Sequence, residues 1–332
     1  MNVAILGAGA WGSAMAIHLN RCGQRVTLVP RRVEHAAEIA GTRENAAYLP
    51  GVPFPRDIQI AYVPAPALAE CDALIFACPS KALRETALRV KACVPSATKI
   101  VISLCKGLEA GTLLRPDQVL RDVFPALPHG AISGPTNAAE VARGFPVAVV
   151  FASDAPAHIS EEIQGAFSNG AFRIYRSSDL IGVELGGALK NIYAIAAGIC
   201  DGMELGANAR ASLLTRALAE MGRIVEAEGG NVETVRGLSG MGDLVATATA
   251  DWSRNRAFGI EIARSGTQAA LEKMRAGRAV VEGYYAAKNF YETTRRDGVS
   301  APILECAYDV ICRGVPAESV IAALMTRALK EE

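Results

Sequence analysis

Residues 2–6 are an apolar run of strand formers that stops at Gly7, Gly9 and Gly12, and residues 13–21 then carry apolar positions at helical spacing. The pattern predicts strand, glycine turn, helix. Residues 25–29 read as a second strand, followed by a polar helix to about residue 40 and a loop over residues 41–56 heavy in Asn and Pro. A weak strand is expected at residues 57–62. Residues 73–78 and 98–104 are apolar throughout, as parallel strands buried on both faces are, and the helix of residues 79–93 falls between them. A short strand over residues 131–136 turns into a helix at 137–143, with Thr136 placed as its cap. Strands at residues 146–152 and 172–175 flank a helix at 155–167. Beyond residue 178 the chain reads as helical to its end, without repeats or low-complexity linkers. The expected fold is α/β: a doubly wound, mostly parallel sheet (residues 1–178) followed by an all-helical C-terminal domain (residues 179–332).

The glycine turn carries the first functional signal. Gly7 permits a tight turn, Gly9 removes the side chain that would hold a pyrophosphate away from the backbone, and Gly12 lets the helix lie close on its strand. Such a turn makes the fold Rossmann-type. The amides of the first helical turn, at Ala10, Trp11 and Gly12, would face the phosphates of a dinucleotide with the positive end of the helix dipole behind them. A plain strand-to-helix turn has the same spacing, but here strand and helix stand on the sides that the mechanism requires. The second strand ends in Pro30-Arg31-Arg32, with no carboxylate to take a ribose hydroxyl. Arg31 and Arg32 would hold a 2′-phosphate, which favours NADP(H) and leaves NAD(H) possible. The bland alternative is two solvated arginines at a strand end, with Glu34 nearby.

At 332 residues, two domains are expected. Hydrophobic residues make up 51% and charged ones 20%, which suits a globular enzyme with large buried surfaces. The 34 basic residues balance 34 acidic ones, so no global field recruits nucleic acid or an anionic membrane. Any anionic ligand must be met by local charge. No apolar run is expected to reach the ~18 residues of a membrane span, and a strand beginning at residue 2 leaves no room for a signal peptide, so the expected location is the cytoplasm. The eight cysteines show no C-x-x-C spacing and fall mostly in apolar runs, as buried thiols do; neither a metal site nor a disulfide is expected. None of the four histidines neighbours a catalytic cluster.

The acid or base must therefore be sought elsewhere. Lys106 follows the apolar run 98–104 at the carboxyl end of a parallel strand, where open sheets bind ligands. The helix beginning at residue 179 is small and apolar almost all round, interrupted by Glu184, Lys190 and Asn191. A buried ammonium needs a partner or gives up its proton, and that is how a lysine becomes an acid/base catalyst. A lysine snorkelling at a domain edge is the competing reading. Further on, Gly237-Leu-Ser-Gly-Met-Gly-Asp243 has glycine-loop character and ends on a carboxylate. Asp251-Trp-Ser253-Arg254-Asn255-Arg256 starts a helix with cations in its first turn, which oppose the helix dipole unless an anion binds.

Taken together, Gly7-Ala-Gly-Ala-Trp-Gly12, Cys105-Lys106-Gly107, Ser133-Gly-Pro-Thr136, Lys190-Asn191, Gly242-Asp243, Ser253-Arg254-Asn255 and Val280-Val-Glu-Gly283 resemble, in order and spacing, bacterial NAD(P)-dependent glycerol-3-phosphate dehydrogenases over essentially the whole chain. The resemblance implies a hydride transfer between NAD(P)H and dihydroxyacetone phosphate, feeding phospholipid synthesis. It implies that Lys190 is the proton acceptor for the C2 hydroxyl and that Lys106 contacts both substrate and nicotinamide. It places Gly134, Thr136, Asp243, Ser253, Arg254 and Asn255 around glycerol 3-phosphate, and Trp11, Arg31, Lys106, Ala138, Arg254, Val280 and Glu282 around the cofactor. Thr136 and Ala10 stand where many members have Ser, and Arg32 where some carry an acid. Two rivals stay open: a related dehydrogenase of a β-hydroxyacid or ketopantoate, and a cofactor-sensing module without chemistry. The implied partner is a small phosphorylated substrate, with no nucleic acid and no membrane insertion; the large apolar helices of the second half make a homodimer plausible.

Overall fold

A computed structural model describes residues 1–277, 280–329 and 331. The chain divides into two compact units, Met1–Glu109 with Leu114–Glu184, and Ala110–Leu113 with Leu185–Glu332.

The first unit is built on an eight-stranded sheet. Its strands are β1 (Asn2–Leu6), β2 (Arg25–Val29), β5 (Gln59–Ile60), β6 (Ala73–Phe76), β7 (Ile100–Ser103), β8 (His129–Ser133), β9 (Val147–Ser153) and β10 (Phe172–Ser177). They run in the order β10-β9-β8-β7-β6-β1-β2-β5. Every neighbouring pair is parallel except β8 with β9. From β1 the chain goes to β2 on one side, and its next full strand, β6, lies on the other. That reversal makes a crevice at the carboxyl end of β1, where Gly7 begins the turn. Alternate residues of β1 serve opposite layers. Val3 and Ile5 join the core with Met15, Leu19 and Leu28, whereas Ala4 and Leu6 join Leu74, Phe76 and Leu120. This is why the central strands read as unbroken apolar runs.

Three local expectations change. The strand expected at residues 57–62 shrinks to the two-residue edge strand β5, and the expected loop over 41–56 contains an antiparallel pair, β3 (Glu44–Asn45) and β4 (Leu49–Pro53). Prolines are tolerated in such a ribbon because, among the described residues, β4 pairs with β3 alone and leaves its other edge without a ladder. The helix Ala138–Arg143 is capped by Asn137, whose side chain accepts from the Glu140 amide at 3.1 Å, and not by Thr136. The hydroxyl of Thr136 is thereby left for other contacts.

Among the described residues the second unit contains helices and loops but no strand. The helix Leu180–Gly202, which belongs to this unit from Leu185 on, is started by Asp179, whose carboxylate accepts from the Gly182 amide at 2.9 Å. By length and composition this helix is long and apolar enough to cross a bilayer, contrary to the expectation that no run reaches that length. Its most apolar window is 89% buried within the protein, so it reads as a core helix. Small residues let neighbours approach its backbone. A Cβ on Gly198 would lie 2.1 Å from the Arg256 carbonyl oxygen, and one on Gly186 3.0 Å from that of Ser239. The glycine-rich stretch before Asp243 is a wide π-helical turn, Leu238–Gly242, running directly into the helix Asp243–Thr249. A Cβ on Gly240 would lie 2.0 Å from the Val235 carbonyl oxygen, so this glycine lets the turn close on the residues before it.

Candidate active site

In the first unit the backbone does the positioning. Gly7 has φ +114°, and a Cβ there would stand 2.5 Å from the Ala77 carbonyl oxygen. At Gly12 the added atom would meet the Gly7 carbonyl oxygen at 2.0 Å, so only hydrogen fits at either position. Around Gly9 the situation is opposite: nothing lies within 4 Å of a Cβ. Helix α1 (Ala10–Arg21) begins there, and the Ser13 amide makes the bond to the Gly9 carbonyl at 3.0 Å. The amides of Ala10, Trp11 and Gly12 precede that bond and have no acceptor within the helix. The Trp11 indole N–H is buried without a hydrogen-bond partner. A diphosphate with its attached ring would fit this arrangement of open space, donors and an orphaned N–H.

Arg31 and Arg32 follow β2 and are both exposed. Arg31 pairs with Glu85 at 3.2 Å, each side chain 69% exposed, so its charge is partly answered from within the protein. At the ends of β7 and β8 the sequence-predicted residues gather. The half-buried Lys106 donates to the Gly134 carbonyl oxygen at 3.1 Å and reaches the Thr136 hydroxyl at 3.5 Å. Thr136 also donates to the Gly134 carbonyl oxygen, at 3.1 Å. Ala138 opens the next helix and is half-buried.

The second unit holds its candidates by side chains. Lys190 is only 7% exposed, on the helix Leu180–Gly202. Its ammonium pairs with Asp243 at 2.9 Å and donates to the Thr247 hydroxyl at 2.5 Å. Burial thus leads to pairing, the first of the two outcomes open to a buried ammonium. Thr247 was not among the sequence-derived candidates, although its i+4 spacing from Asp243 places both on one helix face. Next to Lys190, the Asn191 side-chain oxygen accepts from the Asn255 amide at 2.8 Å, and the Asn255 oxygen accepts from the Gly283 backbone at 3.0 Å. A Cβ on Gly283 would lie 2.6 Å from the Asn191 carbonyl oxygen, so the absence of a side chain permits that bond. Glu282 and Val280, both half-buried, adjoin this point.

Ser253 caps the helix Arg254–Ser265, accepting from the Arg256 amide at 3.2 Å. The excess of cations expected there is smaller than the sequence suggests. Arg256 pairs with Asp201 at 2.7 Å and Asp251 at 3.0 Å, while Arg254 is exposed at the first helical position. In the first unit, Glu184 proves to be a buried structural carboxyl. Burial, with Asp117 beside it, pushes it well above the usual carboxylate range. It accepts from the Asp117 backbone at 3.0 Å and lies 3.6 Å from Arg115.

Residues 2–159 match the family described as NAD-dependent glycerol-3-phosphate dehydrogenase N-terminus, and residues 179–322 match that described as its C-terminus. The chain belongs to the NAD-dependent glycerol-3-phosphate dehydrogenase family. Among curated glycerol-3-phosphate dehydrogenases [NAD(P)+], that of Nitrosomonas eutropha is 42% identical over 328 residues, covering 98% of each chain. That of Pelodictyon phaeoclathratiforme is 40% identical, covering 100% of this chain and 99% of its own. The crystal structure of glycerol-3-phosphate dehydrogenase from Coxiella burnetii superposes with a TM-score of 0.92 at 36% identity, covering 98% of each chain. Such coverage extends the glycerol-3-phosphate dehydrogenase likeness through both units.

Proposed function

We infer that this chain transfers hydride between NAD(P)H and dihydroxyacetone phosphate, giving sn-glycerol 3-phosphate reversibly. Both cofactors are accepted, as the relatives' names state for those proteins; Arg31 and Arg32 favour NADP(H). The observation that carries the chemistry is the Lys190 ammonium, 7% exposed and held between Asp243 and Thr247.

Gly7, Gly9, Ala10, Trp11 and Gly12 would hold the dinucleotide phosphates, and Arg31 and Arg32 the ribose phosphate. Lys106, Ala138, Arg254, Val280 and Glu282 complete the cofactor set. The bound nicotinamide supplies or takes the hydride. As the substrate ketone is reduced its oxygen gains charge, and Lys190 donates a proton to it. In reverse, Lys190 takes the C2 hydroxyl proton. Asp243 and Thr247 hold the ammonium and so orient its remaining N–H. Lys106, oriented by Gly134 and Thr136, adds positive charge toward the developing alkoxide. Arg254 with the first-turn amides of its helix takes the substrate phosphate, and Ser253 and Asn255 keep that turn in place. The Asn255 side chain is committed to Asn191 and Gly283, which makes it a positioning residue. Binding energy at the phosphate orients the reacting carbon. The product suits phospholipid synthesis, and we place the enzyme in the cytoplasm, as a homodimer.

Steady-state oxidation of NADPH and of NADH, with dihydroxyacetone phosphate and with unphosphorylated dihydroxyacetone, tests the reading. Turnover of the phosphorylated ketone with both cofactors and little turnover of the other is expected. Equal use of both ketones, or none of either, would reject it.

A further inference from the structure

The carboxyl ends of β6 and β7 bring two thiols together. The pairing of these strands sets Phe76 beside Ser103, and the Leu104 amide continues the ladder with a 2.8 Å bond to the Phe76 carbonyl oxygen. Two residues beyond the end of each strand stand Cys78 and Cys105, at the same offset in sequence. The Cys105 thiol donates to the Cys78 carbonyl oxygen at 3.0 Å. Both side chains join one apolar layer of the first unit, Cys105 inside it and Cys78 packed against it. The strands that lead to them lie about 4.8 Å apart, inside the range of about 4.4–6.8 Å that a disulfide bridges between Cα atoms. Of the eight cysteines, only Cys71, Cys105 and Cys200 are buried; Cys78 is half-buried, so the pair is reached from the Cys78 side.

The position of the pair gives it a consequence. A Cβ on Gly7 would lie 3.3 Å from the Cys78 backbone nitrogen, so Cys78 abuts the glycine turn, and Lys106 follows Cys105 directly. We propose that Cys78 and Cys105 form an oxidisable dithiol, which a small peroxide closes to a disulfide and which, once closed, impairs the adjoining dinucleotide turn. The Cys78 thiolate attacks the O–O bond of hydrogen peroxide, giving a sulfenic acid and releasing hydroxide, which takes up the proton lost from Cys78. The Cys105 sulfur then displaces hydroxide from that sulfenic acid, forming the S–S bond while its own proton leaves as water. Two thiols and one peroxide become one disulfide and two waters. The neighbouring Cys78 thiol, and then burial, push the Cys105 thiol up, so Cys105 acts second, as the resolving sulfur. Thiol reductants reverse the bond.

The effect on activity rests on the dinucleotide reading of the Gly7 turn, whereas bond formation does not. The test exposes the whole enzyme to hydrogen peroxide, then maps its peptides without reduction, titrates NADPH binding by fluorescence and assays turnover before and after dithiothreitol. A Cys78–Cys105 peptide, a several-fold weaker NADPH affinity regained with dithiothreitol, and resistance of Cys78→Ala to the same treatment are expected. Bound NADPH should slow the crosslink. Failure of the Cys78–Cys105 peptide to form at doses that oxidise the other half-buried cysteines overturns the proposal. So does a crosslinked enzyme with unchanged NADPH affinity, or equal loss of affinity in Cys78→Ala. An enzyme that crosslinks but never oxidised NADPH with dihydroxyacetone phosphate would instead count against the proposed reaction.

Discussion

The sheet unit and the helical unit use opposite means to make a site. Around the Gly7 turn the working groups are main-chain amides and empty volume, set by positions where a single carbon atom would collide at 2.0 to 2.5 Å. Around Lys190 they are side chains, a buried cation with its carboxylate and hydroxyl partners and an asparagine pair tied to a backbone amide. Backbone sites tolerate no added bulk but ask little of chemistry. Side-chain sites depend on matched charge. The two units should therefore fail in different ways when altered.

The largest effect is expected where charge is left unmatched. Asp243→Ala strands the Lys190 ammonium in the interior and should cost about 3–5 kcal/mol of stability in denaturant unfolding. The double variant Lys190→Met with Asp243→Leu should regain most of that stability without regaining turnover, which separates a structural ion pair from a catalytic one. Gly12→Ala comes next. Its Cβ meets main chain, which cannot move aside cheaply, so overpacking of roughly 1–3 kcal/mol is expected, together with lost NADPH affinity. A variant that binds NADPH normally would show that the turn is not the dinucleotide site.

Arg254→Ala removes a charged donor while leaving the Arg256–Asp201 pair intact. A contact worth about 1.5–3 kcal/mol predicts a KM for dihydroxyacetone phosphate raised roughly 10- to 100-fold, with a smaller loss of NADPH affinity. An unchanged KM would place the phosphate elsewhere. The smallest effect should come from Glu85→Gln, which releases Arg31 from an exposed pair worth at most about 1 kcal/mol. The ratio of kcat/KM for NADPH over NADH should rise by no more than about fivefold. A fall in that ratio would mean that Arg31 does not read the ribose phosphate.

The same contrast explains how far the sequence could be read. The parallel sheet was legible because strands buried on both faces are unbroken apolar runs, and the glycine turn because only glycine satisfies its geometry. β5 and the β3–β4 ribbon were poorly legible, since their pairing is short and lies outside the central apolar strands. Lys190 was visible as a charge inside an apolar helix. Its partners were harder to find: Asp243 was a candidate without a stated contact, and Thr247 is an ordinary threonine until tertiary packing brings the helix Asp243–Thr249 against Lys190. Arg254 and Arg256 look alike in sequence. Only the fold shows that Asp201, more than fifty residues earlier, already answers one of them. Thr136 resembled a helix cap because hydroxyls before helices usually are, yet Asn137 has that role and Thr136 turns to Gly134 and Lys106.

The central claim is that Lys190 moves the proton and does not hold the cofactor, and one paired measurement on Lys190→Ala tests it. Turnover of dihydroxyacetone phosphate and equilibrium binding of NADPH are compared with the unaltered enzyme on a sample shown to be folded. A loss of roughly 100- to 10,000-fold in kcat with unchanged NADPH affinity is predicted. Near-normal kcat, or a parallel loss of cofactor affinity, would contradict the account.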